Sequence, residues 1–293
     1  MVGIGHGTQV SSRLVGVRGA VTANIDVSEN ANAGSVDGIV TTVDRHGVAR
    51  LTISRPERMN ALDTAATRTI MERLTAWSSD PAVRVIVIDG AGGSFSTGAD
   101  VVSIAHGGGL DGLTAESARE IISAGTDLAR AVRAVPVPVV ASVDGAAAGI
   151  GASLAFASDL VYATERSYFL LAFINIGLMP DGGATMSVAA SVGRARANAL
   201  AMLGEKLHAQ AAFDAGLITE TLADRAALDA KVEAVAAKLA VTSPAALRLT
   251  KAAVDAHTMA GMDAALEREL RGQTELLQSD EFRAALAAFT GRR

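Results

Sequence analysis

Apolar positions along the chain follow one period and then another. Short β-branched or alternating runs occupy 40–44, 48–53, 85–88 and 139–143, with shorter ones at 161–163 and 168–171. Glycine, proline and aspartate bound them, so each reads as a strand. The first two flank Arg45-His46-Gly47 and predict a hairpin. Helical spacing appears between the strands. Ala66, Ile70, Leu74 and Trp77 fall on one stripe behind Asp63, a candidate cap. A second helix is predicted over 115–135, with Ile121, Ile122, Leu128 and Val132 inward and Glu116 and Glu120 on a solvated face near its start. A short buried helix follows over 152–157. Further helices cover 184–192 and 195–203, split at Gly193-Arg194, and 208–215, closed by Gly216.

Beyond residue 228 the pattern is wholly helical. Val232, Val235 and Leu239 form one stripe, Ser243-Pro244 starts another helix, and two more cover 262–277 and 280–289. Residues 1–36 lack this order. They are rich in Gly, Ser, Asn and Val and read as a disordered extension. Arg13 and Arg18 precede the first acid, Asp26, a bias shared with transit peptides, but no secretory core is present. Gly3-Ile4-Gly5-His6-Gly7 follows no strand and is not a dinucleotide fingerprint. Gly107-Gly108-Gly109 reads as a mobile connection. The expected organisation is an extension over 1–36, an α/β core over 37–228 and a helical oligomerisation region over 229–293.

Composition narrows the chemistry. The chain has 293 residues, 49% hydrophobic and 3% aromatic, so the core rests on Ala, Val, Leu and Ile. A net charge of −5 gives no footprint for nucleic acid. Without cysteine, disulfides and thiolate chemistry are excluded. The five histidines, His6, His46, His106, His208 and His257, lack metal-ligand spacing, and no apolar run reaches the roughly 18 residues of a membrane span. A cytoplasmic location is expected.

Two strands feed glycine-rich turns. Val85-Ile86-Val87-Ile88 leads into Asp89-Gly90-Ala91-Gly92-Gly93-Ser94-Phe95-Ser96-Thr97-Gly98-Ala99-Asp100. Residues 139–143 lead through Asp144-Gly145 to Gly149-Ile150-Gly151 and a helix. Helix-start N–H groups have no internal partner, and small residues let a ligand approach the backbone. Two such turns can converge on one oxygen, the arrangement that acyl-transfer and enolate chemistry needs.

These segments resemble the signature segments of the crotonase, or enoyl-CoA hydratase/isomerase, family. Ser54-Arg55-Pro56-Glu57-Arg58-Met59-Asn60-Ala61-Leu62 is similar to its CoA-binding opening, and Asn175-Ile176-Gly177-Leu178-Met179-Pro180-Asp181-Gly182-Gly183 to its active-site turn. The resemblance runs from about residue 38 to the C-terminus. It implies a crotonase-like α/β fold of repeated ββα units, an acyl-CoA thioester substrate, no permanently bound cofactor, and a homotrimer or dimer of trimers. It also implies an oxyanion hole made by the N–H groups of Ala99 and Ile150. CoA would lie along Arg55, Met59, Ala61, Leu62, Ser96, Ala99 and Asp100, with Arg55 or Arg58 pairing its phosphates.

At the positions where family hydratases carry two glutamates, this chain has Ser153 and Phe173. Neither acts as a carboxylate base, and Phe173 would dry the pocket. Asp181 stands where the family's isomerases place their acid. Asp181 also suits a turn aspartate capping the helix that follows. One carboxylate beside an oxyanion hole suits moving a proton within a substrate better than adding water. The expected activity is an acyl-CoA isomerase, with a hydratase of unusual site or a non-catalytic acyl-CoA binder as alternatives. A serine hydrolase lacks its GxSxG here.

Overall fold

Both faces of the central sheet are covered, and its strand sequences show why. The computed structural model describes residues 34–100 and 114–290. The expected extension, up to residue 33, and the Gly107–109 connection lie outside the described residues. The strands are β1 (Gly34–Val36), β2 (Ile39–Val43), β3 (Val48–Ile53), β4 (Val85–Gly90), β5 (Val139–Val143), β6 (Ala146–Ala148), β7 (Leu160–Thr164), β8 (Tyr168–Leu170), β9 (Leu207–His208) and β10 (Glu220–Leu222). The main sheet runs β1-β2-β3-β4-β5-β7-β10, antiparallel from β1 to β3 and parallel beyond. A small second sheet holds β6, β8 and β9.

Alternate residues of a strand serve opposite faces. Ile86 and Ile88 of β4 join the main core, with Val139, Ala141 and Val143 of β5. Val85, Val87 and Val140 point the other way, into a second cluster. The main core takes α1 (Thr64–Ser79), α2 (Ala115–Ala134) and α3 (Ile150–Ala157). Asp63 caps α1 as expected, accepting from the Ala66 N–H at 2.9 Å. Next come α4 (Ala184–Leu203) and α5 (Ala209–Asp214). α4 breaks at Gly193, whose φ of 77° is not helical.

The structure differs from expectation in three places. The fold starts earlier, with β1 pairing back on β2 through Asp37 and Gly38, both at positive φ (53° and 75°). That Asp-Gly pair is a two-residue hairpin turn. Residues 146–148, read as part of a turn, form β6 alongside β8. The boundary at 228/229 falls inside α6 (Arg225–Val241), whose cap is Asp224. Leu228, Val232, Ala236 and Ala240 of α6 cover the second face of the sheet, so this helix belongs to the core.

The remaining helices are α7 (Pro244–Thr258), α8 (Met262–Leu276) and α9 (Asp280–Thr290). α7 buries none of its residues. α8 lies against α2 and α4, and α9 against the 3₁₀ turn Ala172–Ile176. No helix among the described residues is long and apolar enough to cross a membrane.

Candidate active site

The opening segment and the first glycine-rich turn are bound into one layer. After Pro56–Arg58, Met59 and Asn60 both adopt positive φ, 50° and 59°. A long side chain such as Met59 rarely accepts this, so the turn is held from outside. Asn60 does the holding. Its Oδ1 accepts from the Arg55 N–H at 2.8 Å, and its Nδ2 donates to Ala91 O at 2.8 Å and Ser94 O at 2.6 Å. Ser96 Oγ donates to Asn60 O at 2.8 Å and accepts from the Gly98 N–H. The Leu62 N–H donates to Gly98 O, and the Asp100 N–H to Leu62 O, at 2.7 and 2.9 Å.

The residues expected to meet CoA therefore gather, but not all face outward. Ser96 is fully buried as a brace. The Arg55 guanidinium turns inward to Ala61 O and the Asp63 carboxylate. Burial works to raise Asp63, but the bonds from the Ala66 N–H and the Arg55 guanidinium outweigh it and hold the carboxyl below the usual range. Arg58 is half exposed and pairs with Asp100 at 2.6 Å. Ala61 and Leu62 are buried, while Met59 and Ala99 are exposed.

The second glycine-rich turn seats directly on the first. Gly98 has a φ of 88°, and a Cβ there would lie 2.7 Å from Ala148 O and 3.0 Å from Ile150 N. The Ala148 N–H donates to Ser96 O at 2.9 Å. Ile150 opens α3 behind Gly149, so its N–H is an end group. Among the described residues, neither the Ala99 nor the Ile150 N–H donates to a backbone partner.

Asp181 lies beside this junction. An added Cβ at Gly125 of α2 would meet both Ile150 Cδ1 (3.1 Å) and Asp181 Oδ2 (3.7 Å). At Gly182 it would meet Ile150 Cδ1 at 2.5 Å and Ser153 Cβ at 2.9 Å. Ile150 is thus wedged between two glycines above the carboxylate. Phe173 Cζ reaches toward Gly149 and closes another side. Ser153 Oγ donates to Asp181 O at 2.8 Å and steadies the turn. All four side chains, of Ile150, Ser153, Phe173 and Asp181, are buried.

The helix-cap role falls to another residue. α4 begins at a Gly183 cap without help from the Asp181 side chain. Glu269 of α8 accepts from the Gly183 N–H (2.7 Å), the Thr185 N–H (2.9 Å) and Thr185 Oγ1. Asp181 Oδ2 receives Gln273 Nε2 at 3.3 Å, and Asp181 Oδ1 is buried with no hydrogen-bond partner among the described residues. Burial foremost, and the Glu269 charge next, push the Asp181 carboxyl up to about 8, against the Gln273 hydrogen bond. Burial also raises Glu269, opposed by its bonds from Thr185 and Gly183 and by the charge of Arg268.

Sequence reasoning placed the C-terminal helices at an interface and missed Glu269 and Gln273. The available signal is their spacing. Ala265, Leu266 and Leu270 define the buried stripe of α8, and Glu269 and Gln273 stand on the same stripe, also fully buried. Polar groups placed there need partners at the surface they cover.

Residues 44–293 match the family model described as enoyl-CoA hydratase/isomerase. A probable enoyl-CoA hydratase of Rhodobacter capsulatus is 39% identical over 84% of this chain and 93% of its own. The 1,2-epoxyphenylacetyl-CoA isomerase of Escherichia coli is 32% identical over the same shares, 84% and 93%. Among solved structures, an enoyl-CoA hydratase from Mycobacterium avium subsp. paratuberculosis superposes with a TM-score of 0.79 at 40% identity, covering 88% of this chain and 98% of that one.

Proposed function

The chain belongs to the enoyl-CoA hydratase/isomerase family, and from that membership we propose that it is an acyl-CoA isomerase in which Asp181 alone carries the proton. One observation carries this reading. Asp181 is the buried carboxylate beside Ile150 that is not used to cap a helix, and its Oδ1 has no partner among the described residues. The neighbouring Glu269 spends its oxygens on Gly183 and Thr185.

In this reading the thioester oxygen sits against the N–H groups of Ala99 and Ile150. Asp181 takes a proton from one carbon of a 3-enoyl or 2-enoyl chain. The negative charge passes to the oxygen, where two fixed donors stabilise it; one such donor is worth about 2.7–4 kcal/mol in a measured enzyme. Asp181 then returns the proton to another carbon and the double bond has moved. The same carboxyl serves first as base and then as acid, which a group titrating near 8 can do at physiological pH. Ring-type acyl groups suit the same chemistry.

CoA arrives as part of the substrate and no further cofactor enters the scheme. The pantetheine and nucleotide run along Met59, Ala61, Leu62, Ala99 and Asp100, with Arg58 the better placed of the two arginines for phosphate, since Arg55 is turned inward. Assembly as a homotrimer or a dimer of trimers goes with α7, which buries nothing and exposes Leu249 and Val254.

The names of several relatives favour a second reading, hydration of 2-enoyl-CoA. It requires Asp181 to activate water in a pocket dried by Phe173. Incubation of 2-enoyl- and 3-enoyl-CoA thioesters with the protein in D₂O, followed by mass spectrometry, separates the two. An isomerase incorporates deuterium and leaves the mass otherwise unchanged. Addition of one water to crotonyl-CoA, with loss of its conjugated absorbance, would overturn the isomerase reading.

A further inference from the structure

Glu269 and Gln273 are four residues apart on α8, so they project from one face. Both are fully buried. Gln273 Nε2 donates to Met179 O at 2.5 Å as well as to Asp181 Oδ2 at 3.3 Å. The Met179 carbonyl fixes which way the amide points. The reversed amide would set two acceptor oxygens against each other at that distance. Asp181 Oδ2 therefore faces a donor. When the carboxyl is neutral its proton belongs on Oδ1, the oxygen that has no partner among the described residues.

We propose that Gln273 is a positioning residue for the proton transfer: it ties Asp181 Oδ2 to the backbone at Met179, leaving Oδ1 as the oxygen that takes and gives the proton. This rests on the reading of Asp181 as proton carrier. Among the described residues, the groups set around Asp181 are Gly125 from α2, Ile150 and Ser153 from α3, and Gln273 from α8, with Glu269 one turn from Gln273 on the same face of α8. Glu269 is the charged one among them, and it disfavours ionisation of Asp181. The Gln273 hydrogen bond favours ionisation. The two α8 residues thus act in opposite directions on one carboxyl.

That opposition gives a test which loss of packing does not mimic. The variants are Gln273→Leu, which removes the donor, and Glu269→Gln, which removes the charge. The Asp181 carboxyl is titrated directly, from its protonated C=O infrared band in the difference spectrum against Asp181→Asn. The pH dependence of kcat/KM is measured alongside. Gln273→Leu should raise the midpoint and Glu269→Gln should lower it, each changing the ionisation constant by roughly threefold or more. Unmoved midpoints with reduced rates would reduce α8 to a scaffold and overturn the proposal. If Gln273→Leu does not fold, Gln273→Met removes the same donor with a flexible side chain. Should Asp181→Asn keep full activity, the isomerase reading fails, whereas the infrared midpoints still decide the roles of Gln273 and Glu269.

Discussion

Replacing Asp181 by asparagine should weaken the enzyme and strengthen the protein. The carboxyl titrates at about 8 in the fold against 3.8 when free. Between those values the folded chain holds a proton that the unfolded chain has released. The stability that goes with the neutral carboxyl is therefore complete below about pH 4 and is lost as pH rises through about 8. The slope is about 1.4 kcal/mol per pH unit, so by pH 7 the loss is on the order of 4 kcal/mol. Asparagine does not ionise. Its carbonyl still accepts from Gln273, and it matches aspartate in size. The stability difference between variant and parent should thus grow with pH over this window, other ionisations cancelling in the difference. Urea unfolding at a fixed protein concentration, at several pH values from about 4.5 to 8, measures it. Over the same range, turnover of a 3-enoyl-CoA should fall by roughly 10²–10⁴-fold, the usual worth of a general acid–base group. A stability difference that stays constant with pH would refute the buried, raised carboxyl. Retained turnover would refute its catalytic role.

Ser153→Ala removes the hydroxyl that steadies Asp181 O but no proton carrier, and should change kcat by less than about tenfold. Ile150→Gly empties the wedge between Gly125 and Gly182 and should raise kcat/KM for branched or ring-bearing acyl groups relative to straight ones by roughly tenfold, read from competition between the two substrates. Asn60→Ala deletes three hydrogen bonds, one within its own turn and two to the first glycine-rich turn; we expect a loss of about 3 kcal/mol in unfolding experiments, with weaker competition by free CoA for the acyl-CoA site. Light scattering at micromolar concentration should give a trimer or hexamer, and a monomer would rule that assembly out.

How much was legible depended on whether a feature was local. The apolar runs at 85–88 and 139–143 announced strands, and Asp63 announced the start of α1, because each depends on neighbours in sequence. The two glycine-rich turns were legible as turns, and the family resemblance tied them together. Their mutual seating through Gly98 and Ala148 is a contact between segments some fifty residues apart, which no local period reports. Asp181 was singled out, yet a Pro-Asp-Gly turn reads equally well as a cap. Only the arrival of Glu269 at Gly183 and Thr185 distinguishes the two roles. The same holds for α6. Its stripe predicted a buried face but could not say whether a neighbouring subunit or the chain's own sheet would cover it.

α8 also sets the order in which the site becomes chemically competent. Every other wall described, from the opening turn to the Asp181 loop, precedes it in the chain. Until α8 docks, neither Glu269 nor Gln273 faces Asp181, and a solvated aspartate there is an ordinary acid. Both glycine-rich turns therefore leave the ribosome before the residues that make the carboxyl unusual. The final helices act as a licence issued last. Proteolysis or a premature stop ahead of residue 269 would remove both the Glu269 charge and the Gln273 hydrogen bond that act on Asp181.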